Sequence, residues 1–370
     1  MAQPPVSASP SRRQFLTAAA ASAAAAAASA AVRLGASPLP RRPSDQVRRL
    51  TSPGFLDLQV NGFAGVDFND PATTVDDLHH ALGVLRWHGV TRLLPTLITS
   101  SAERFGQCAK LLLQVKSDAF AGIHMEGPYI SPEDGPRGAH PREYTASASI
   151  DDFKRRQEAA GGHIRLVSLA PEVPGAIPLI EYLRASGILV AIGHTAAPAE
   201  IIRVAVKAGA TLSTHLGNGA AQMIPRHPNF IWEQLAADEL MASLIVDGHH
   251  LPPATVKTMI RAKGVRRTIL VTDAIAAAGQ PPGEYQLGSV KVRLDETGRV
   301  AIPGTPNLAG SALAMDRAVA NTVRFAGVPV EDALAMASTN PAAYLGVKTS
   351  ETLHLDWDPQ AITLRVARIT

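Results

Sequence analysis

"FLDLQVNG", residues 55–62, reads as a buried β-strand, Phe55 to Val60, that runs into a polar tip at Asn61-Gly62. Gln59 and Asn61 stand two apart, so on a strand both side chains point to the same face. The same rhythm recurs seven times downstream: an apolar run, a polar tip, a helix-like stretch. The runs are RLLPTLI (92–98), AGIHME (121–126), IRLVSLAPE (164–172), ILVAIGH (188–194), TLSTHL (211–216), MASLIVDG (241–248) and RTILVTDA (267–274). Helix-like stretches such as VDDLHHALGVLRWHG and PAEIIRVAVKAG lie between them, and several end at a glycine (Gly89, Gly187, Gly209) suited to a helix C-cap. Eight alternating β and α units predict an α/β fold, a (β/α)8 TIM-like barrel over residues 51–346.

Around that core the chain carries smaller segments. EYQLGSVKVRLDETGRVAIPG (284–304) alternates as a β-hairpin insertion, with its turn at Asp-Glu-Thr-Gly. PVEDALAMASTNPAAYLG reads as one helix, and residues 347–370 as a C-terminal β tail that pairs with the start of the mature chain. Little precedes Pro53, so the β accessory region is expected to be reduced. Residues 1–31 have paired arginines, Arg12-Arg13, then Phe15-Leu16, an alanine-rich run and the small-x-small triplet Ala28-Ser29-Ala30. That order resembles a twin-arginine signal, which implies the twin-arginine export machinery as a partner and a periplasmic or exported destination. A disordered alanine-rich tail or a retained anchor is the competing reading, and a cytoplasmic protein follows if there is no signal. Residues 32–50 read as a linker.

With 370 residues, 46% hydrophobic and 18% charged, the chain can build one large core. Net charge is +3, and removing residues 1–31 leaves +1, so no basic surface argues for a nucleic-acid partner. The single cysteine, Cys108, excludes an intrachain disulfide.

The strand tips hold the chemistry. They are Gln59/Asn61, Thr96, Glu126, Glu172, His194, His215, Asp247 with His249 and His250, and Asp273. Barrel strands converge at their C-terminal ends, so these scattered residues are expected around one mouth. Glu126, His194 and His215 supply one carboxylate and two imidazoles, a set suited to one divalent ion, Zn²⁺ above others, with a fourth position open. Asp273 is placed to move a proton between water and a leaving amine; its structural alternative is a helix N-cap before AIAAAG. His124, two before Glu126, is a candidate supporting group, and His79, His80, His88 and His163 fall away from the tips.

PGFLDLQVNGFAGVDFND, LLPTLITS, HMEGPYI, GHT, THLGNG, DGHH, LVTDA and LAGSALAMDRAV, in this order from Pro53 to Gly346, resemble the N-acetylglucosamine-6-phosphate deacetylase family of the amidohydrolase superfamily. The resemblance implies a metal-dependent hydrolase that removes acetyl from an N-acetylated amino sugar. Glu126, His194 and His215 then match the metal ligands and Asp273 the proton shuttle. His140, in RGAHP, matches a histidine that polarises the acetyl carbonyl, with Ala139 beside it among the substrate contacts. Asn218 and Gly219 match a segment that holds the sugar phosphate, His250 a substrate contact, and Leu308, Ala309 and Gly310 a loop lining the sugar pocket. Arg226 matches a phosphate-binding arginine contributed by a neighbouring subunit, which implies a homodimer. Two-metal amidohydrolases carry His-x-His where this chain has Gln59 and Asn61, so the amides imply a single ion and a pocket-framing role.

The chain departs from the family at Arg226-His227-Pro228-Asn229, where the family has Arg-Glu-Pro-Gly. His140 and Arg226 also have bland readings, as a solvated loop histidine and a surface charge. Two alternatives stand beside the deacetylase: an exported amidohydrolase for another N-acyl or cyclic amide, and an inactive sugar-binding barrel.

Overall fold

In the computed structural model, which describes residues 47–370, the chain enters through strand β1 (Arg48–Pro53) and turns at Gly54 into β2 (Phe55–Val60). A Cβ at Gly54 would lie 2.0 Å from the Thr91 hydroxyl, so the turn requires glycine. Every residue of β2 is buried, Asp57 and Gln59 included. The short β3 (Gly62–Phe63) and β4 (Val66–Asp67) form a hairpin just beyond it. Seven more strands follow: β5 (Val90–Ile98), β6 (Ile123–Glu126), β7 (Ile164–Leu169), β8 (Leu189–Ile192), β9 (Leu212–Ser213), β10 (Met241–Leu244) and β11 (Thr268–Leu270). They hydrogen-bond in the order β2-β5-β6-β7-β8-β9-β10-β11, each neighbour parallel. A parallel bridge between Val60 and Ala274 brings the chain beyond β11 back against β2, and the sheet closes as the expected barrel.

The crossovers are helices, and several start at a side-chain cap. Thr74 and Asp77 exchange bonds in a capping box at the start of helix Val75–Trp87. Ser101 and Ser149 cap helices Ala102–Leu112 and Ile150–Ala159. Their apolar faces pack on the barrel in one continuous core. Among the described residues, no helix is long and apolar enough to cross a membrane.

The closing seam is built differently from the other seven. Asp57 stands in for ladder bonds there: its carboxylate accepts from the Thr272 hydroxyl at 2.6 Å and from the Thr272 and Gln59 backbone amides at 3.2 and 3.1 Å. Asp273 N–H donates to the Gln59 carbonyl and Asn61 N–H to the Ala274 carbonyl. The seam therefore ends directly beneath the polar tips of the first and last strands.

Several sequence expectations need correction. The strands stop before their polar tips: β7 ends at Leu169, β8 at Ile192, β9 at Ser213 and β11 at Leu270. Beyond them the backbone swings over, and His194, His215 and Asp273 take positive φ of 52°, 28° and 50°. Asp273 caps no helix, because Ala274 is a bridge residue and residues 276–279 form a turn. The 284–304 insertion has three strands, β12 (Gly283–Leu287), β13 (Val290–Leu294) and β14 (Val300–Ala301). Gly288-Ser289 makes its first turn and Asp-Glu-Thr-Gly its second. The expected single helix after Pro329 is two, Val330–Ala337 and Thr339–Leu345, since Pro341 has no N–H for the Ala337 carbonyl. The linker boundary at 50 falls inside β1. That strand pairs with β15 (Thr352–Asp358), which pairs with β16 (Thr363–Ile369), in a three-stranded accessory sheet. The signal at 1–31 and the linker up to residue 46 lie outside the described residues.

Candidate active site

Glu126, at the end of β6, is the hub. Its Oε1 accepts from the Gln59 amide at 2.9 Å and lies 3.0 Å from His215 Nε2 and 3.2 Å from His194 Nε2. Its Oε2 lies 3.9 Å from His140 Nε2. All five side chains are buried. His194 stacks edge-on against both His140 and His215, at centroid distances of 4.3 and 4.9 Å. Burial raises the Glu126 carboxyl, but hydrogen bonds and charge from His194 and His215 outweigh it and hold the carboxyl well below its usual range. For His215, the Glu126 bond overcomes burial and the imidazole is raised. His140 goes the other way, pushed down to about 3 by burial and the neighbouring His194.

The tautomer of His194 bears on what sits between these groups. Its Nδ1 lies 2.9 Å from the Pro136 carbonyl, which can only accept, so Nδ1 carries the proton. With Nδ1 so engaged, Nε2 is the nitrogen that faces the Glu126 carboxylate oxygen: an imidazolium donates there, and a neutral ring leaves two acceptors that a cation between them would satisfy. Glu126, His140 and His194 each offer an atom within 4.8 Å of the others. His215 Nε2 reaches the same carboxylate oxygen, while its buried Nδ1 has no partner among the described residues. The ligand set expected from sequence has His215 where the set of mutually close atoms has His140; Glu126 and His194 are common to both.

Across the cavity Asp273 accepts from the Asn61 amide at 2.7 Å. Burial and the Glu126 charge push its carboxyl up to about 6. His250 is locked by Asp247, whose carboxylate takes the imidazole Nδ1–H at 2.7 Å and the backbone amide at 2.8 Å. His249 turns away to the Thr297 carbonyl, so His250 is the histidine of the pair that faces the cavity.

A cavity of about 710 Å³ joins these groups. Asn61, Ala139, His140, Asn218, Gly219 and His250 line it, as do Leu308, Ala309 and Gly310. Gln59 lies beneath Glu126 and not on the wall. Arg226 is exposed and does not line the cavity. Two tips expected at the mouth serve elsewhere. Thr96 accepts from Val60 N–H within the barrel. Glu172 accepts from the Thr195 hydroxyl and Ala196 N–H, bracing the loop after His194. His124 is buried between Thr96 and Ser168. Sequence reasoning missed Thr99, the partner of His140 Nδ1 at 2.9 Å, and the wall residues Asp134, Gln222 and Asn307. Thr99 follows the 92–98 run directly and was legible as a strand tip; the Pro136 carbonyl left no signal, being backbone.

A parallel eight-stranded barrel with a buried carboxylate–histidine hub at its mouth defines a class, and residues 50–354 match the family model described as the Amidohydrolase family. The chain belongs to the amidohydrolase family. Within it the similar proteins are amino-sugar deacetylases. The chain is 38% identical over 349 residues to the N-acetylglucosamine-6-phosphate deacetylase of Bos taurus, covering 88% of this chain and 82% of that one. It is 34% identical over 318 residues to the N-acetylgalactosamine-6-phosphate deacetylase of Escherichia coli O157:H7, covering 84% and 82%. The solved N-acetyl-D-glucosamine-6-phosphate deacetylase of Mycobacterium smegmatis superposes with a TM-score of 0.80 at 30% identity, over 91% of this chain and 90% of that one.

Proposed function

We propose that this chain hydrolyses the N-acetyl amide of an amino sugar, with Glu126, His194 and His215 holding a single divalent ion, zinc, and Asp273 carrying the proton. The observation that carries this reading is the convergence of the His194 and His215 Nε2 atoms on the buried Glu126 carboxylate, with Asp273 facing the same cavity. When bound, a divalent ion there supplies Lewis acidity, which polarises an acyl oxygen and eases deprotonation of water.

The chain's own groups do the rest. Asp273 accepts a proton as the water oxygen bonds to the acyl carbon. It returns that proton to the nitrogen as the C–N bond breaks, leaving acetate and a free amine. His140 cannot both ligate an ion through Nε2 and donate from it. Burial keeps the His140 ring neutral, and we place its one proton on Nε2, with Nδ1 accepting from the Thr99 hydroxyl. We assign it to the acyl oxygen as hydrogen-bond donor, which leaves His215 as the second imidazole ligand. Asn218, Gly219 and His250 face the sugar end, with Ala139 and the Leu308–Gly310 loop as apolar wall.

The test is acetate release from N-acetylglucosamine and from its 6-phosphate, with added Zn²⁺ and metal analysis of the same sample. Turnover of at least one sugar with a single bound ion is expected; cleavage of neither overturns the reading. Arg226 supports a homodimer in which it reaches the partner's cavity, and a monomer by light scattering would refute that. Arg12-Arg13 supports twin-arginine export; equal export of an Arg12→Lys/Arg13→Lys variant would refute it.

A further inference from the structure

We propose that Asn61 is a positioning residue for the proton carrier: its amide nitrogen fixes one oxygen of Asp273, and its amide oxygen holds the water that attacks. The inference rests on Asp273 carrying the proton.

Both residues are clamped by their backbones. Asn61 N–H donates to the Ala274 carbonyl, and the Asn61 carbonyl accepts from Phe68 N–H. Asp273 N–H donates to the Gln59 carbonyl, and its own carbonyl accepts from Ser311 N–H. The side chains meet between these anchors at 2.7 Å, with Asn61 Nδ2 donating to Asp273 Oδ1. Oδ2 receives no hydrogen bond from any described residue, so it is the oxygen free to take a proton.

The other end of the amide is the second observation. Asn61 Oδ1 is buried and has no partner, although Asn61 lines the cavity. A buried acceptor without a donor is costly, and a cavity is where a donor can arrive. Water bonded through one hydrogen to Asn61 Oδ1 and through the other to Asp273 Oδ2 has its oxygen lone pairs directed away from both, toward the acyl carbon. An amide is the neutral side chain that offers donor and acceptor together. A carboxylate at this place would add a third negative charge beside Glu126 and Asp273. Gln59 makes the matching bond on the other side, donating to Glu126 Oε1.

The test is a double-mutant cycle of Asn61→Ala and Asp273→Asn on metal-loaded enzyme, with kcat, KM and metal content measured for each. Asn61→Ala is expected to lower kcat about 10- to 100-fold, with KM and metal content little changed. In the Asp273→Asn background the same substitution should cost markedly less, because only its hold on the water is left to lose. An equal loss in both backgrounds, or a kcat within about threefold of wild type, would overturn the proposal. Full activity in Asp273→Asn alone would overturn the proton-carrier assignment and, with it, this inference. Asn61→Asp separates donor from acceptor: it keeps the acceptor and loses the donor, and should move the acid limb of the kcat profile to higher pH. An unmoved limb would contradict the donor role.

Discussion

Replacing Asp57 by asparagine should flatten the pH dependence of stability between about pH 4 and pH 7. Burial pushes the Asp57 carboxyl from 3.8 up to about 7, against the hydrogen bonds from Thr272 and Gln59. Across that window the folded chain holds a proton that the unfolded chain has released. This contribution therefore favours folding at low pH and is lost as pH rises through the folded value. At roughly 1.4 kcal/mol per pH unit, the full window amounts to about 4 kcal/mol, and the part between pH 5 and pH 8 to about 2–3 kcal/mol. Asparagine is neutral throughout; it keeps an acceptor for the Gln59 amide and can donate to the Thr272 hydroxyl oxygen. Urea unfolding of both proteins at pH 5 and pH 8 isolates the effect, because other titrating groups cancel in the difference. Wild type should lose more stability than the variant over that interval. Equal losses would refute the claim that the seam carboxyl holds its proton near neutrality.

Three further outcomes are expected. Asp273→Asn should retain bound metal while kcat falls by orders of magnitude; a variant with near wild-type turnover would remove Asp273 from the proton path. Gly219→Ala should impair metal retention and activity together, since the residue has φ +56° and a Cβ would lie 2.7 Å from His194 Nδ1; unchanged metal content after dialysis would contradict this. Lys263→Met should lower stability by about 2–3 kcal/mol, because the ammonium donates to the Gln234 and Ala237 carbonyls at 2.6 and 2.7 Å. An unshifted melting temperature would show those carbonyls find other partners.

The barrel was legible because each strand is a short apolar run and several crossovers start at a capping residue. Thr74, Ser101 and Ser149 are local signals, readable from a few neighbours. The meeting of Glu126, His194, His215 and Asp273 was inferable once eight units were counted, since barrel geometry gathers strand ends. What escaped were features set by backbone path. Thr96 looks like a tip, yet its side chain points between strands, and Thr99, three residues on, reaches His140. Glu172 has the composition of a site residue, but the chain turns after Leu169 and aims it at the next loop. The orientation of His194 depends on the Pro136 carbonyl, for which no side-chain pattern exists.

The seam also sets when this protein becomes competent. The Asn61–Asp273 bond joins residues 212 positions apart, and the Val60–Ala274 bridge spans as far. Contacts of such separation form late, because a long stretch of chain must be ordered before they are rewarded. A nascent chain that has folded β2 to β10 holds Glu126, His194 and His215 but not Asp273, the proposed proton carrier. Reactivity should then switch on in one step, when the last strand docks against the first, and stalled or truncated chains should capture metal without turning over substrate.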